Sequence, residues 1–200
     1  MQITVFQLGQ LGANCYIVAD EKAGSCAVVD PGGQGSELAA WLRERNLTPR
    51  YVLLTHGHFD HVGGVKKLAE AFPGLPVYLH PDDTKLTPEL SQGLWWTDFY
   101  EDGDELQMDG IVFRVFHTPG HTPGSVCLQA GDVLLTGDTL FAGSCGRTDF
   151  PGGSWEQLMN SFARLAKLPG NYSVLSGHGG ASELERERAH NPYMKEAMKR

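Results

Sequence analysis

Positive charge is what this chain lacks most: 16 lysines and arginines stand against 24 aspartates and glutamates, a net charge of −8. A nucleic-acid partner requires a basic stripe to neutralise phosphates, so none is expected. No apolar run reaches the roughly eighteen residues of a spanning helix, which removes a membrane partner. The opening MQITVFQLGQ has neither the basic start nor the apolar stretch of a secretory signal, so the cytoplasm is the expected compartment. Cysteine is sparse too. Cys15, Cys26, Cys127 and Cys145 show no C-x-x-C spacing, and three of them sit in apolar strand-like runs. Such cysteines read as reduced and mostly buried, not as a zinc framework or a disulfide scaffold. Repeats and low-complexity tracts are absent.

What is present is ordinary globular material, 41% hydrophobic and 20% charged over 200 residues. That length favours one domain over 1–200. Its 25 glycines and 11 prolines cluster in loops and point to a loop-rich scaffold. ITVFQL, NCYIV and CAVVD read as opening strands separated by glycine turns. A helix capped by Ser36 follows, with Leu38, Trp41, Leu42 and Arg45 at helical spacing before Pro49. YVLLT is an apolar strand suited to burial on both faces. Val65, Leu68, Ala69 and Phe72 form a helical stripe that Pro73-Gly74 ends, and VYLH is a further strand. Residues 81–103, polar and acidic with Trp95 and Trp96, show no clear period and are expected as an insertion at a pocket rim.

Beyond them, Asp109-Gly110 and Gly131-Asp132 are two-residue hairpin turns. Ser154 and Gln157 form a capping box for a helix carrying Leu158, Phe162 and Leu165. YSVLS is a last strand, Ser182 with Glu185 caps another helix, and Asn191-Pro192 opens a final one. The chain reads as an α/β domain of mostly hairpin-connected strands with helices outside.

Four apolar strands run into chemistry-bearing residues. YVLLT leads to HGHFDH, FRVFHTPG to His121, VLLTG to Asp138, and YSVLSG to His178. Loops at strand ends are where a rigid scaffold gathers functional groups. These positions supply His56, His58, His61, His121 and His178 with Asp60 and Asp138. Imidazole nitrogen and carboxylate oxygen are ligands for zinc, iron or manganese, and seven groups exceed one tetrahedral ion. Two divalent ions use them economically. The first takes His56, His58 and His121, the second takes Asp60, His61 and His178, and Asp138 bridges with its two oxygens. Two such cations against two aspartates and one hydroxide leave a single positive charge for a developing oxyanion. His80, His117 and His190 read as plain loop histidines.

In this order and spacing, THGHFDHVGG, HTPGHTPGS, TGDTLF and SGHG resemble the metallo-β-lactamase superfamily. NCYIV and VVDPGG are similar to its opening strands, so the resemblance spans nearly the whole chain. It implies a four-layer αβ/βα sandwich, two mixed sheets with helices on the outer faces and a metal site at one edge. GDTLFAGSCGRTDFPGGS is most similar to the short bacterial relatives of glyoxalase II, the hydroxyacylglutathione hydrolases. That branch implies a small-molecule thioester substrate such as S-D-lactoylglutathione, although the C-terminal helical domain that grips glutathione in full-length glyoxalase II has no counterpart here.

The mechanism expected is attack by a hydroxide held between two ions, zinc first among the metals, with Asp60 orienting it and accepting a proton. Asp30 in VVDPGG either orients a ligand histidine or simply ends its strand in a turn. Arg147 faces a substrate carboxylate or braces its loop against Asp149. Phe59 and Phe141 are candidates for the pocket wall, and Cys145 is a bystander. CGRTDF also resembles a loop of the persulfide dioxygenases, single-iron enzymes of the same superfamily, which makes that activity the main alternative. Lactone or ester hydrolysis and a non-catalytic metal-binding module complete the set.

Overall fold

The computed structural model describes residues 1–200. Two six-stranded sheets pack face to face. The first contains β1 (Gln2–Leu8), β2 (Ala13–Asp20), β3 (Ser25–Val29), β4 (Thr48–Leu53), β5 (Val77–Leu79) and β6 (Asp98–Phe99), in that spatial order. Its first two pairings are antiparallel, and the pairings from β3 through β6 are parallel. Helices α1 (Gly35–Glu44), α2 (Phe59–Val62) and α3 (Val65–Ala71) lie between β3 and β5 in the chain.

The second sheet is built from β7 (Glu105–Met108), β8 (Ile111–His117), β9 (Val126–Ala130), β10 (Val133–Gly137), β13 (Ser173–Ser176) and β14 (Ser182–Glu183). Its order is β14-β13-β10-β9-β8-β7, with β10 and β13 the one parallel pair. A short ribbon, β11 (Leu140–Phe141) with β12 (Ser144–Cys145), lies between β10 and helix α4 (Trp155–Ala166) in the chain. Helices α5 (Leu184–His190) and α6 (Pro192–Ala197) end it.

Period-two alternation sorts the strand side chains into layers. Cys15, Ile17 and Ala19 of β2 join Leu38 and Leu42 of α1 and Leu68 of α3 in one outer core. Tyr16 and Val18 point the other way and meet Phe113, Val115 and Leu128 between the sheets. Leu134 of β10 turns outward to Leu158, Phe162 and Leu165 of α4. Three apolar layers between helix, sheet, sheet and helix make the αβ/βα sandwich that the resemblance implied.

Local details depart from expectation at the caps. Helix α1 starts earlier than Ser36: Gln34 is its N-cap in the left-handed region, and its side chain instead accepts from Gly9 N. Ser182 lies in β14, and its hydroxyl donates to Glu187, so Glu183 is the N-cap of α5 and gives it no side-chain cap. At α4 the Ser154 hydroxyl accepts from Gln157 N as expected, but Ser154 N donates to Gly120 O, leaving half a capping box. Asn191 caps α6 through Tyr193 N and Met194 N, as read from its sequence. Residues 81–103 hold a 3₁₀ turn (Pro81–Lys85) and β6, and they seat Tyr100 in the inter-sheet core. Leu90 of this stretch lines a cavity with Phe59 and Phe141, as expected of a rim, while Trp95 and Trp96 pack on the outer core beside α3, where their indoles find apolar surface.

Candidate metal centre

Parallel strands end on the same side, so β10 and β13 deliver Asp138 and His178 to one edge. The other sheet delivers the THGHFDH segment to that edge after β4. Hydrogen bonds stitch the two sheets there. Val126 N donates to Thr55 O at 2.8 Å, Asn14 N to Gly177 O at 2.7 Å, and the Tyr16 hydroxyl to Ser176 O at 2.7 Å. His56 and His58 flank Gly57, and the helical turn α2 then places Asp60 and His61.

The structure brings all seven candidate ligands together. Ligand atoms of His56, His58 and His121 lie within 4.8 Å of one another, and those of Asp60, His61 and His178 form a second such group. Asp138 sits between them, with Oδ1 3.4 Å from His61 Nε2 and Oδ2 3.5 Å from His121 Nε2. His56, His58, His61 and His121 are all buried, while His178 remains 30% exposed.

Each of three imidazoles has one nitrogen already engaged. Thr55 Oγ1 gives its proton to Asp30 Oδ2 at 2.6 Å, so at 3.1 Å it accepts from His56 Nδ1. Asp30 Oδ2 accepts from His61 Nδ1 at 2.9 Å, and Arg147 O accepts from His121 Nδ1 at 2.7 Å. Those partners fix the tautomer and leave Nε2 as the lone-pair nitrogen facing the group. Asp30 reaches both Thr55 and His61 from a left-handed backbone conformation, φ 51°, that aspartate tolerates better than most residues.

Buried polar atoms are normally paired. Here His56 Nε2, His58 Nε2 and Asp138 Oδ1 are buried with no hydrogen-bond partner. Unpaired acceptors beside converging imidazoles fit cations, and five imidazoles with two carboxylates fit two of them. For His56, His58 and Asp138 the electrostatics agree. Burial, reinforced by the neighbouring imidazoles, pushes His56 well below its usual range and His58 down to about 4, so both are neutral acceptors at pH 7. Burial would raise Asp138, but His61, His121 and His178 outweigh it and hold the carboxyl at about 2. For His61, Asp138 and Asp30 overcome burial and raise it. The hydrogen bond to Asp60 raises His178.

A cavity of about 440 Å³ opens onto this group. Its wall includes Leu11, Phe59, Leu90, Phe141 and Phe150. Arg147 also lines it, yet its Nε and Nη2 donate to Asp149 at 2.7 and 2.6 Å, and its guanidinium stacks on Phe150 at 3.8 Å. The residue therefore both braces its loop and faces the cavity. Cys145 lines the cavity too, with a thiol that burial pushes up.

Away from the cavity, His80, Asp82 and His117 also place ligand atoms within 4.8 Å of one another. The two rings stack at 4.0 Å and 11°. In-plane lone pairs of parallel rings do not converge, and His117 Nε2 donates to Pro123 O. His190 is exposed and takes part in no such group. Residues that sequence reading passed over include Thr55, Asn14 and Asp83, whose partners lie far away along the chain.

The sequence profile of the Metallo-beta-lactamase superfamily matches residues 8–178. The hydroxyacylglutathione hydrolase GloC of Haemophilus influenzae is 34% identical over 97% of this chain and 98% of its own length. The metallo-hydrolase YqgX of Bacillus subtilis, so designated from probable activity, is 36% identical over 94% of both chains. Among solved structures, TTHA1623 in a di-iron-bound form superposes with TM-score 0.83 at 37% identity, covering 95% of this chain and 99% of that one.

Proposed function

This chain belongs to the metallo-β-lactamase superfamily as a metallo-hydrolase, and from that premise we propose that it hydrolyses an acyl thioester. In this reading His56, His58 and His121 hold one divalent ion, and Asp60, His61 and His178 hold a second. Asp138 offers one oxygen to each group, consistent with its position between them. Ions bound there supply Lewis acidity, polarising an acyl carbonyl and lowering the pKa of water toward about 7. The same donors serve zinc and iron, and zinc is the ion we assign.

The chain's own residues do the rest. Thr55, Asp30 and the Arg147 carbonyl keep three imidazoles in one tautomer and orientation. Asp60 lines the cavity, where its carboxylate orients the attacking water and takes up its proton. Phe59 and Phe141 shield the acyl group from bulk solvent, and Arg147 meets polar atoms of the leaving part through the edge that Asp149 leaves open.

One observation carries the choice of thioester. Apart from candidate ligands, the only polar side chains lining the cavity are Cys145 and Arg147. A guanidinium keeps its protons at neutral pH, and a thiol pushed up by burial is a poor acid. A departing amine requires a proton, and outside the candidate ligands this cavity holds no good donor. A thiol of pKa about 8.5 leaves as thiolate without one. GloC, named as a hydroxyacylglutathione hydrolase, supports the same choice and makes S-D-lactoylglutathione the first substrate to try.

The test pairs elemental analysis of the purified protein with release of free thiol from S-D-lactoylglutathione. Two ions per chain with thiol release are expected, and both should fall together in His58→Ala and His121→Ala. A single iron with oxygen uptake on glutathione persulfide would replace this reading with a dioxygenase. A metal-loaded protein that releases no thiol from any acyl thioester would end it.

A further inference from the structure

Asp83 is a fully buried carboxylate that pairs with no lysine, arginine or histidine. It sits in the 3₁₀ turn Pro81–Lys85, in the stretch with the least regular pattern of the sequence. A buried charge without a counter-ion is costly unless hydrogen bonds replace its water. Three donors do so. Gly57 N reaches Oδ2 at 2.7 Å, Thr122 Oγ1 reaches Oδ2 at 2.9 Å, and Gly124 N reaches Oδ1 at 2.6 Å. Burial pushes the carboxyl up to about 6 against these donors, which leaves it ionised at pH 7.

The identity of the donors is what matters. Gly57 lies between His56 and His58, and Thr122 follows His121. One carboxylate thus ties together the two loops that bring the candidate ligands of the first ion into range, where His58 Nδ1 and His121 Nε2 stand 2.9 Å apart. The Thr122 hydroxyl donates to Asp83, so Ser125 Oγ, 2.7 Å away, donates to Thr122 and extends the chain of bonds. The space admits little else: a Cβ on Gly124 would stand 2.7 Å from both Asp83 N and Oδ1.

We infer that Asp83 is a positioning residue of the first ion site, a clamp that holds the Gly57 and Thr122–Gly124 loops in the register at which His58 and His121 share one ion. The inference rests on the two-ion reading. Its specific content is asymmetry. His61, Asp60 and His178 are oriented by Asp30 and by each other, and none of the three donors to Asp83 lies beside His178. Loss of the clamp therefore loosens one ion and spares the other. Asparagine is a poor replacement, because whichever way its amide lies, the NH₂ faces at least one N–H or O–H donor.

The metal-free full chain, titrated with zinc and with cobalt against a competing chelator, tests this. Asp83→Asn should weaken one of the two binding steps by about 10–100-fold, the usual cost of disturbing a group behind a ligand. The other step should stay unchanged, and the cobalt absorption of the weakened site should shift. The pattern should match His121→Ala in kind and differ from His178→Ala. Thr122→Val, which deletes a single donor at nearly constant volume, should weaken the same step by less, and it stands in if Asp83→Asn does not fold. Asp82→Asn, at the half-buried neighbouring position, should leave both steps alone.

A uniform loss of both ions, or a lower melting temperature of the metal-free chain with both affinities intact, would reduce Asp83 to a structural brace and overturn the inference. Failure of the wild-type chain to bind two ions would instead overturn the two-ion reading, so the two failures are distinguishable.

Discussion

Gly177 packs directly against the candidate ligands. A Cβ placed on it would lie 2.2 Å from Asp138 Oδ1 and 2.7 Å from His61 Cε1, a clash with two proposed ligands at once. Gly180, three residues on, has nothing within 4 Å of the same added atom. Gly177→Ala is thus expected to lower metal content and thiol release by about tenfold or more while circular dichroism shows a folded chain, since shifting a ligand costs affinity on that scale. Gly180→Ala should match wild type in both. Equal behaviour of the two variants would show that Asp138 and His61 need not hold their present positions. At this scale the sequence was legible wherever function needs neighbours in the chain. THGHFDH packs four candidate ligands into six residues and announces itself. Thr55 and Asp83 do not, because a threonine before a histidine and an aspartate after an aspartate have no pattern of their own. Their partners, Asp30 for one and Gly57, Thr122 and Gly124 for the other, stand 25 to 41 positions away.

Among the elements, α4 is tied to the loop after β6 by more than apolar burial. Arg164 donates to Asp102 from both terminal nitrogens, at 2.6 and 3.0 Å, and His117 N donates to the same carboxylate at 2.8 Å. Slight burial works against the charge, but Arg164 and the backbone N–H prevail and hold Asp102 below its usual range. A carboxylate lowered in the folded state adds stability that is present above its unfolded value, about 3.9, and lost as pH falls through the folded one. Urea unfolding should find Asp102→Asn less stable than wild type above about pH 5 by less than about 1 kcal/mol, since the pair is nearly half exposed. The gap should close as pH falls through the lowered folded value. A gap that persists or widens there would mean that the carboxylate stabilises by packing and not by charge.

Element boundaries followed the sequence where side-chain chemistry is local, as at Ser154 and Asn191. They departed at Gln34 and Ser182, whose side chains are drawn off by Gly9 and Glu187.

The whole molecule depends on two sheets staying in contact, because each contributes residues to the centre. Phe113 of β8 is fully buried in the core between them, beside Val29 and Leu53 of the opposite sheet. Truncating such a side chain removes its transfer energy and leaves a cavity, so Phe113→Ala should cost about 3–5 kcal/mol in urea unfolding. A loss below about 1 kcal/mol would show that the layer closes without it. No helix is long and apolar enough to cross a membrane.

By itself the sequence determined the layers, since period-two and helical alternation decide which residues must be hidden. It also determined the donor set of the candidate metal centre, since imidazoles and carboxylates beside glycine at four strand ends carry their donor atoms wherever the chain goes. Only the tertiary structure decided which groups meet. Asp138 comes to lie between two histidine clusters through the parallel pairing of β10 with β13 and the stitching of the sheets at Thr55 and Asn14. Asp83 becomes a clamp through the closure of two loops on one buried carboxylate. Those contacts depend on distance in space, which local periodicity does not encode.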